Sequence, residues 1–169
     1  MEKNAVTDQA DIVRKEYNPD GVSPFPYEKI EQLRGDIAMY AVDLDEDLSG
    51  AIHYEKDGDF FTIFVNQKKS PARQHFTMAH ALGHYFLHEE ILKKEEVLID
   101  DEASLAGNVS GSVPSREYEA NIFAANLLMP KELVAKAWNE LGSVEACARI
   151  FQVSITAMSI RLTDLGFLE

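Results

Sequence analysis

His80-Ala81-Leu82-Gly83-His84 is the stretch of this chain best equipped for chemistry. On an α-helix, residues four apart are separated by about 400° of rotation and roughly 6 Å of rise, so both imidazoles leave one face and can meet on one cation. An isolated pair at this spacing is more often two ordinary helix histidines. Here Phe76, Ala79, Leu82, Tyr85, Phe86 and Leu87 predict a buried helix, and a buried imidazole needs a partner that a metal supplies. His88 extends the series, but it lies about 12 Å from His80 along the axis, against a zinc–nitrogen bond of about 2 Å. It is therefore expected at the helix end, behind the ligands. His53 and His75 have no supporting spacing and are read as structural, His75 being the nearer to the cleft.

A third ligand is expected from Glu117-Tyr118-Glu119-Ala120-Asn121. A carboxylate from a separate packed helix completes a His2Glu site and leaves one position open. Glu117 and Asn121 share a face at i, i+4, so Glu117 can bind metal while Asn121 hydrogen-bonds a ligand histidine. Glu119 is the alternative ligand, and Ala120 is small where the helices should cross. A charged surface face is the plain alternative, opposed by Ile122, Phe123, Ala124, Leu127 and Leu128, which make this helix a core element.

The surrounding elements follow from pattern. Ala5 to Tyr17 reads as a helix stopped by Asn18-Pro19-Asp20-Gly21, and Tyr27 to Leu33 as a second. Ile37 to Val42, Gly50 to Tyr54 and Asp59 to Val65 read as strands, with a hairpin turn at Asp57-Gly58. Ser70-Pro71 caps the histidine helix, Ala72 to His88. Glu89 to Glu102, with seven acids and two lysines, reads as a solvated surface element, and Asn108 to Pro114 as a loop. A helix from Ser115 to about Leu128 is stopped by Met129-Pro130, and three short helices follow: Lys131 to Leu141, Val144 to Phe151 and Ile155 to Leu165. The expected fold is α+β: a small, mostly antiparallel sheet on the metal-binding helix over residues 1–130, with a helical part over 131–169.

Composition narrows the class. Hydrophobic residues make up 46% of 169, enough for a core, and no apolar run is long enough to cross a bilayer. One cysteine, Cys147, excludes an internal disulfide framework and thiolate-rich metal sites; it reads as a small buried apolar residue. Met1-Glu2-Lys3-Asn4 lacks a secretion pattern, so a cytoplasmic location is expected. The net charge of −13 opposes nonspecific binding to nucleic acid.

Arg73 to His88 resembles the zinc-binding helix of the ImmA/IrrE family of metallopeptidases, and Glu117 to Pro130 is similar to that family's second signature. Together these motifs cover about 30 residues in the expected order. The resemblance implies a gluzincin-like fold with the third ligand from the following helix. It implies, as substrate, an XRE-type helix-turn-helix repressor of a phage, mobile element or stress-response operon. Zinc is the expected ion, with manganese or iron as alternatives. One departure is central: the family pattern is H-E-x-x-H, and Ala81 stands at the Glu position. That carboxylate takes a proton from the attacking water and passes it to the leaving amine, help typically worth about 10²–10⁴-fold. A methyl group can do neither, so the chain is expected to bind metal and be nearly inert. Ala81 reads either as an engineered substitution, favoured because the rest of the motif is intact, or as a natural pseudo-peptidase that sequesters its partner without cutting.

Peptidases of this architecture hold substrate along an edge strand, and Asp59 to Asn66 is the expected edge. Tyr85, His75 or a residue near Asn108 could stabilise an oxyanion, and nothing in the spacing selects among them. Ser143 to Leu162 has a helix-turn-helix pattern, which raises the alternative of a transcription factor. Ser143 to Glu169 carries two arginines against three acids, so packing or partner docking is expected there and direct nucleic-acid binding is not.

Overall fold

The computed structural model describes residues 1–101 and 116–168; the expected loop Asn108 to Pro114, the Ser115 helix start and the Asn108 oxyanion candidate lie outside them. In chain order the elements are α1 (Lys3–Tyr17), α2 (Glu28–Arg34), β1 (Ile37–Val42), β2 (Leu48–Glu55), β3 (Phe60–Asn66), α3 (Pro71–Leu87), α4 (Glu89–Glu95) and β4 (Val97–Asp101). They continue with α5 (Arg116–Leu128), α6 (Lys131–Leu141), α7 (Val144–Phe151) and α8 (Ile155–Asp164). The fold is α+β, as expected from the pattern.

The sheet order is β1-β3-β2-β4, with β1–β3 parallel and β3–β2 and β2–β4 antiparallel. Alternation decides which face is dry: Phe61, Ile63 and Val65 of β3, Ile52 and Tyr54 of β2 and Leu98 of β4 are buried. The register sets Tyr40, Phe64, Ala51 and Ile99 side by side on the wetter face.

Two expectations are corrected here. Asp59 to Asn66 is not an edge: β3 pairs with β1 on one side and β2 on the other, leaving β4 and β1 as the edges among the described residues. Nor is Glu89 to Glu102 only a solvated surface element. Leu92 is wholly buried, and Val97 to Asp101 forms a strand whose alternate residues Leu98 and Asp100 face inward. Acid density concealed a period-two pattern only five residues long.

Ser70 Oγ accepts from the Arg73 backbone N–H at 3.3 Å, and Pro71 occupies the first turn, so α3 starts where its sequence dictates. It crosses α5 at two small residues. A methyl built on Gly83 would lie 2.9 Å from Ala120 Cα and 3.1 Å from its carbonyl oxygen. Alanine is normally the better helix former by about 1 kcal/mol, but here backbone blocks it. Gly83→Ala should destabilise by about 1–3 kcal/mol, measurable by urea unfolding; a gain in stability would show that the crossing relaxes freely.

The C-terminal helices share the same core. Cys147, Phe151, Met158 and Leu162 are buried in one cluster with residues of α1, α3 and α5. Ser143 and Ser154 cap α7 and α8, and Gln152 makes the turn with φ 50°. Arg161, the only arginine of the second helix, donates inward to the Met129 carbonyl at 2.8 Å and to Asn126 Oδ1 at 2.9 Å. Both bonds tie α8 to α5 and the residue that follows it. No described helix is long and apolar enough to cross a membrane.

Candidate metal centre

The α3 spacing brings His80 Nε2 and His84 Nε2 to 3.1 Å of each other, both side chains wholly buried. Glu117 Oε2, from the first turn of α5, lies 3.3 Å from His80 Nε2 and 3.4 Å from His84 Nε2. A fourth donor comes from β4: Asp100 Oδ1 is 3.3 Å from His80 Nε2. One atom from each of these residues falls within 4.8 Å of the others.

The partners behind the rings assign their tautomers. His80 Nδ1 lies 2.9 Å from Asn121 Oδ1, an acceptor, so Nδ1 carries the hydrogen. His84 Nδ1 lies 3.1 Å from His88 Nδ1, and His88 Nε2 lies 2.9 Å from Glu119 Oε2. His88 thus donates to the carboxylate and accepts from His84. Both Nε2 atoms are left with lone pairs aimed at one point. Two such lone pairs 3.1 Å apart, beside two carboxylate oxygens, need a cation between them. Among the described residues, buried Glu117 Oε2 and Asp100 Oδ2 have no hydrogen-bond partner, which leaves both oxygens available to an ion. The residues present therefore fit a divalent metal.

In the metal-free chain the same carboxylates favour a proton on His80 Nε2, which an ion would displace: burial opposes charging the ring, but Asp100 and Glu117 outweigh it and raise the imidazole to about 9. Burial would push the Glu117 carboxyl up, but His80 and His84 hold it well below the usual carboxylate range. Burial, with His84 next to it, lowers His88 to about 4, which keeps it neutral and able to accept.

The remaining candidates are placed as follows. Glu119 faces His88 and the Met1 amine, and so stands behind the ligands instead of among them. The Tyr85 hydroxyl donates to Asp36 at 2.8 Å and accepts from Arg34 at 2.8 Å, which directs it to the α2–β1 side and away from an oxyanion role at the four donors. Ala81 is 0% exposed and belongs to the apolar core. His53 pairs with Thr62 and Val97 across the sheet. The sequence reading missed Asp100. The available signal was Leu98 and Asp100 on one face of a short alternating strand, an acid where a buried residue belongs.

His75 lies outside the cluster, its ring edge-on to Tyr27 with centroids 5.0 Å apart. Burial lowers it to about 4, partly offset by the Gln152 backbone. Because the folded value lies below the ordinary 6.5, the unfolded chain binds this proton first. The stability this gives is complete above pH 6.5 and is lost as pH falls toward 4, about 3 kcal/mol in all. With chelator present, His75→Phe should flatten urea-unfolding stability across that window relative to wild type; parallel curves would refute the assignment.

Residues 36–163 match the sequence model of the IrrE N-terminal-like domain. Metallopeptidase ImmA of Bacillus subtilis (strain 168) is 26% identical over 121 residues, covering 70% of this chain and 64% of ImmA. A solved Mycobacterium tuberculosis transcriptional regulator shares the fold, with TM-score 0.62 at 18% identity, over 96% of this chain and 52% of that one. This chain therefore spans less than two thirds of either relative's length. With a match that runs across 36–163 and so includes the helices that carry His80, His84 and Glu117, the chain belongs to the ImmA/IrrE family of metallopeptidases.

Proposed function

We propose that this chain is a zinc-centred peptidase scaffold of the ImmA/IrrE type whose partner is an XRE-type helix-turn-helix repressor and whose hydrolytic capacity is suppressed at Ala81. The observation that carries this reading is the convergence of the His80 and His84 lone pairs with Glu117. A divalent ion held there would act as a Lewis acid toward a peptide carbonyl. Asn121 and the His88–Glu119 pair hold the ligand rings in the required tautomer. An extended substrate segment is assigned to the outer edge of β4, which has no partner strand among the described residues and adjoins the site through Asp100.

The second reading is capture of the repressor without cleavage, favoured by Ala81 where the family motif has its general base. Metal quantification together with incubation of the Ala81→Glu variant with a panel of helix-turn-helix repressors separates the two. Zinc-dependent cleavage by the variant supports the peptidase scaffold. A zinc-loaded, folded variant that binds a repressor and leaves it whole supports capture.

A further inference from the structure

We propose that Asp100 is a fourth protein ligand and that it closes the metal site to external ligands. The inference rests on the metal reading above and goes beyond its open, three-ligand form. A tetrahedral ion with bonds of about 2.0–2.1 Å spaces its donors about 3.3–3.4 Å apart. Asp100 Oδ1 meets His80 Nε2 at 3.3 Å, the separation that Glu117 Oε2 keeps from that nitrogen, and an oxygen of Asp100 lies within 4.8 Å of the other two donors, so a small contraction about an ion brings all four to that spacing.

Asp100 is only 1% exposed, and its sole ionic partner among the described residues is His80. Its second oxygen has no hydrogen bond among the described residues. A carboxylate so placed is costly to bury unless a cation balances it. The strand is shaped to deliver it. Across β2–β4, Leu48 pairs with Asp101 and Gly50 with Asp100, so Ser49 is an extra residue, and such a bulge re-aims the facing side chain. Beside it, a methyl on Gly50 would lie 2.6 Å from both Phe64 O and Thr77 Cγ2, so glycine is what lets β2 sit this close to α3. With His80, His84, Glu117 and Asp100 engaged, a tetrahedral ion has no vacant place, the arrangement of structural rather than catalytic zinc sites. The ion then also fastens edge strand β4 to α3 and α5.

Cobalt(II) as the probe ion, with azide as an external ligand, tests this on the intact chain. Wild type should bind one cobalt with an absorption spectrum that azide leaves unchanged. Asp100→Ala should bind cobalt on the order of 100-fold more weakly in chelator competition, at or beyond the top of the range for lost outer-shell partners, and its spectrum should respond to azide. Asp100→Asn, which keeps the shape, should show the same azide response if the alanine variant folds poorly. Wild-type affinity in both variants, with azide sensitivity already present in the parent, overturns the proposal while leaving the three-ligand site intact. Loss of binding in His80→Ala identifies that outcome as specific to Asp100. A parent chain that takes up no cobalt overturns this inference together with the metal reading.

Discussion

Zinc added to the metal-free chain should raise its thermal midpoint by about 8–16 °C, and chelator should reverse the shift. An ion that binds only the folded state stabilises it by about 4.1 kcal/mol at a thousandfold excess over its dissociation constant. For a chain of 169 residues each kcal/mol moves the midpoint by about 2–4 °C. The specific source here is buried Asp100 with half-buried Glu117, two like charges in one cluster that a divalent ion balances. His80→Ala should abolish the shift. The effect also has a definite pH sense. His80, held at about 9 in the metal-free chain, must give up its proton before Nε2 can bind metal. Apparent affinity should therefore rise about tenfold per pH unit up to about 9, and at fixed zinc the midpoint shift should shrink as the solution is acidified. Calorimetry at pH 7 in buffers of different ionisation enthalpy should detect about one proton released per ion bound. A midpoint indifferent to zinc at every pH would show that the four donors hold no metal.

The parts of this site that are legible in sequence are those governed by helical period. His80 and His84 share a face because they are four apart, and Glu117 and Asn121 share one for the same reason; both pairs lie on helices whose apolar residues announce burial. The Ser70 cap was equally readable, its hydroxyl accepting from the residue three further on, and Ser143 and Ser154 cap their helices in the same way. Strand order was not, because pairing is a long-range property. Nothing local to Asp59–Asn66 says that β1 will lie parallel on one side and β2 antiparallel on the other. Asp100 was lost for a related reason. A five-residue strand gives little period-two signal, and its inward acid looks like one more charge in an acidic run until the fold sets it against His80. The hairpin shows the finer limit: Asp57-Gly58 marks the turn, but the left-handed residue is Asp59, at φ 47°.

Those two acidic and small-residue positions, Asp100 and Ala81, jointly set the second large expectation. Restoring the carboxylate in Ala81→Glu should raise metal-dependent cleavage of a recognised repressor by about 10²–10⁴-fold over the parent, the usual worth of a positioned general base. The single variant should nonetheless fall short of its potential. If Asp100 holds the fourth place with a preference of about 2.7 kcal/mol, the competent arrangement is populated at roughly 1%, and turnover is scaled down by that fraction. Ala81→Glu with Asp100→Ala should then cut about 100-fold faster than Ala81→Glu at metal concentrations that saturate both. Asp100→Ala alone should stay inert, because vacating a ligand position supplies no base. Ala81 is wholly buried, so desolvation would push the new carboxyl up while the neighbouring ion pulls it down, and the two effects together set the range in which the base works. The four proteins form a double-mutant cycle, and its coupling decides the matter: equal rates for Ala81→Glu and the double variant would place Asp100 outside the path of the reaction, whereas a gain from Asp100→Ala that appears only in the Ala81→Glu background makes the two positions coupled locks on one peptidase site.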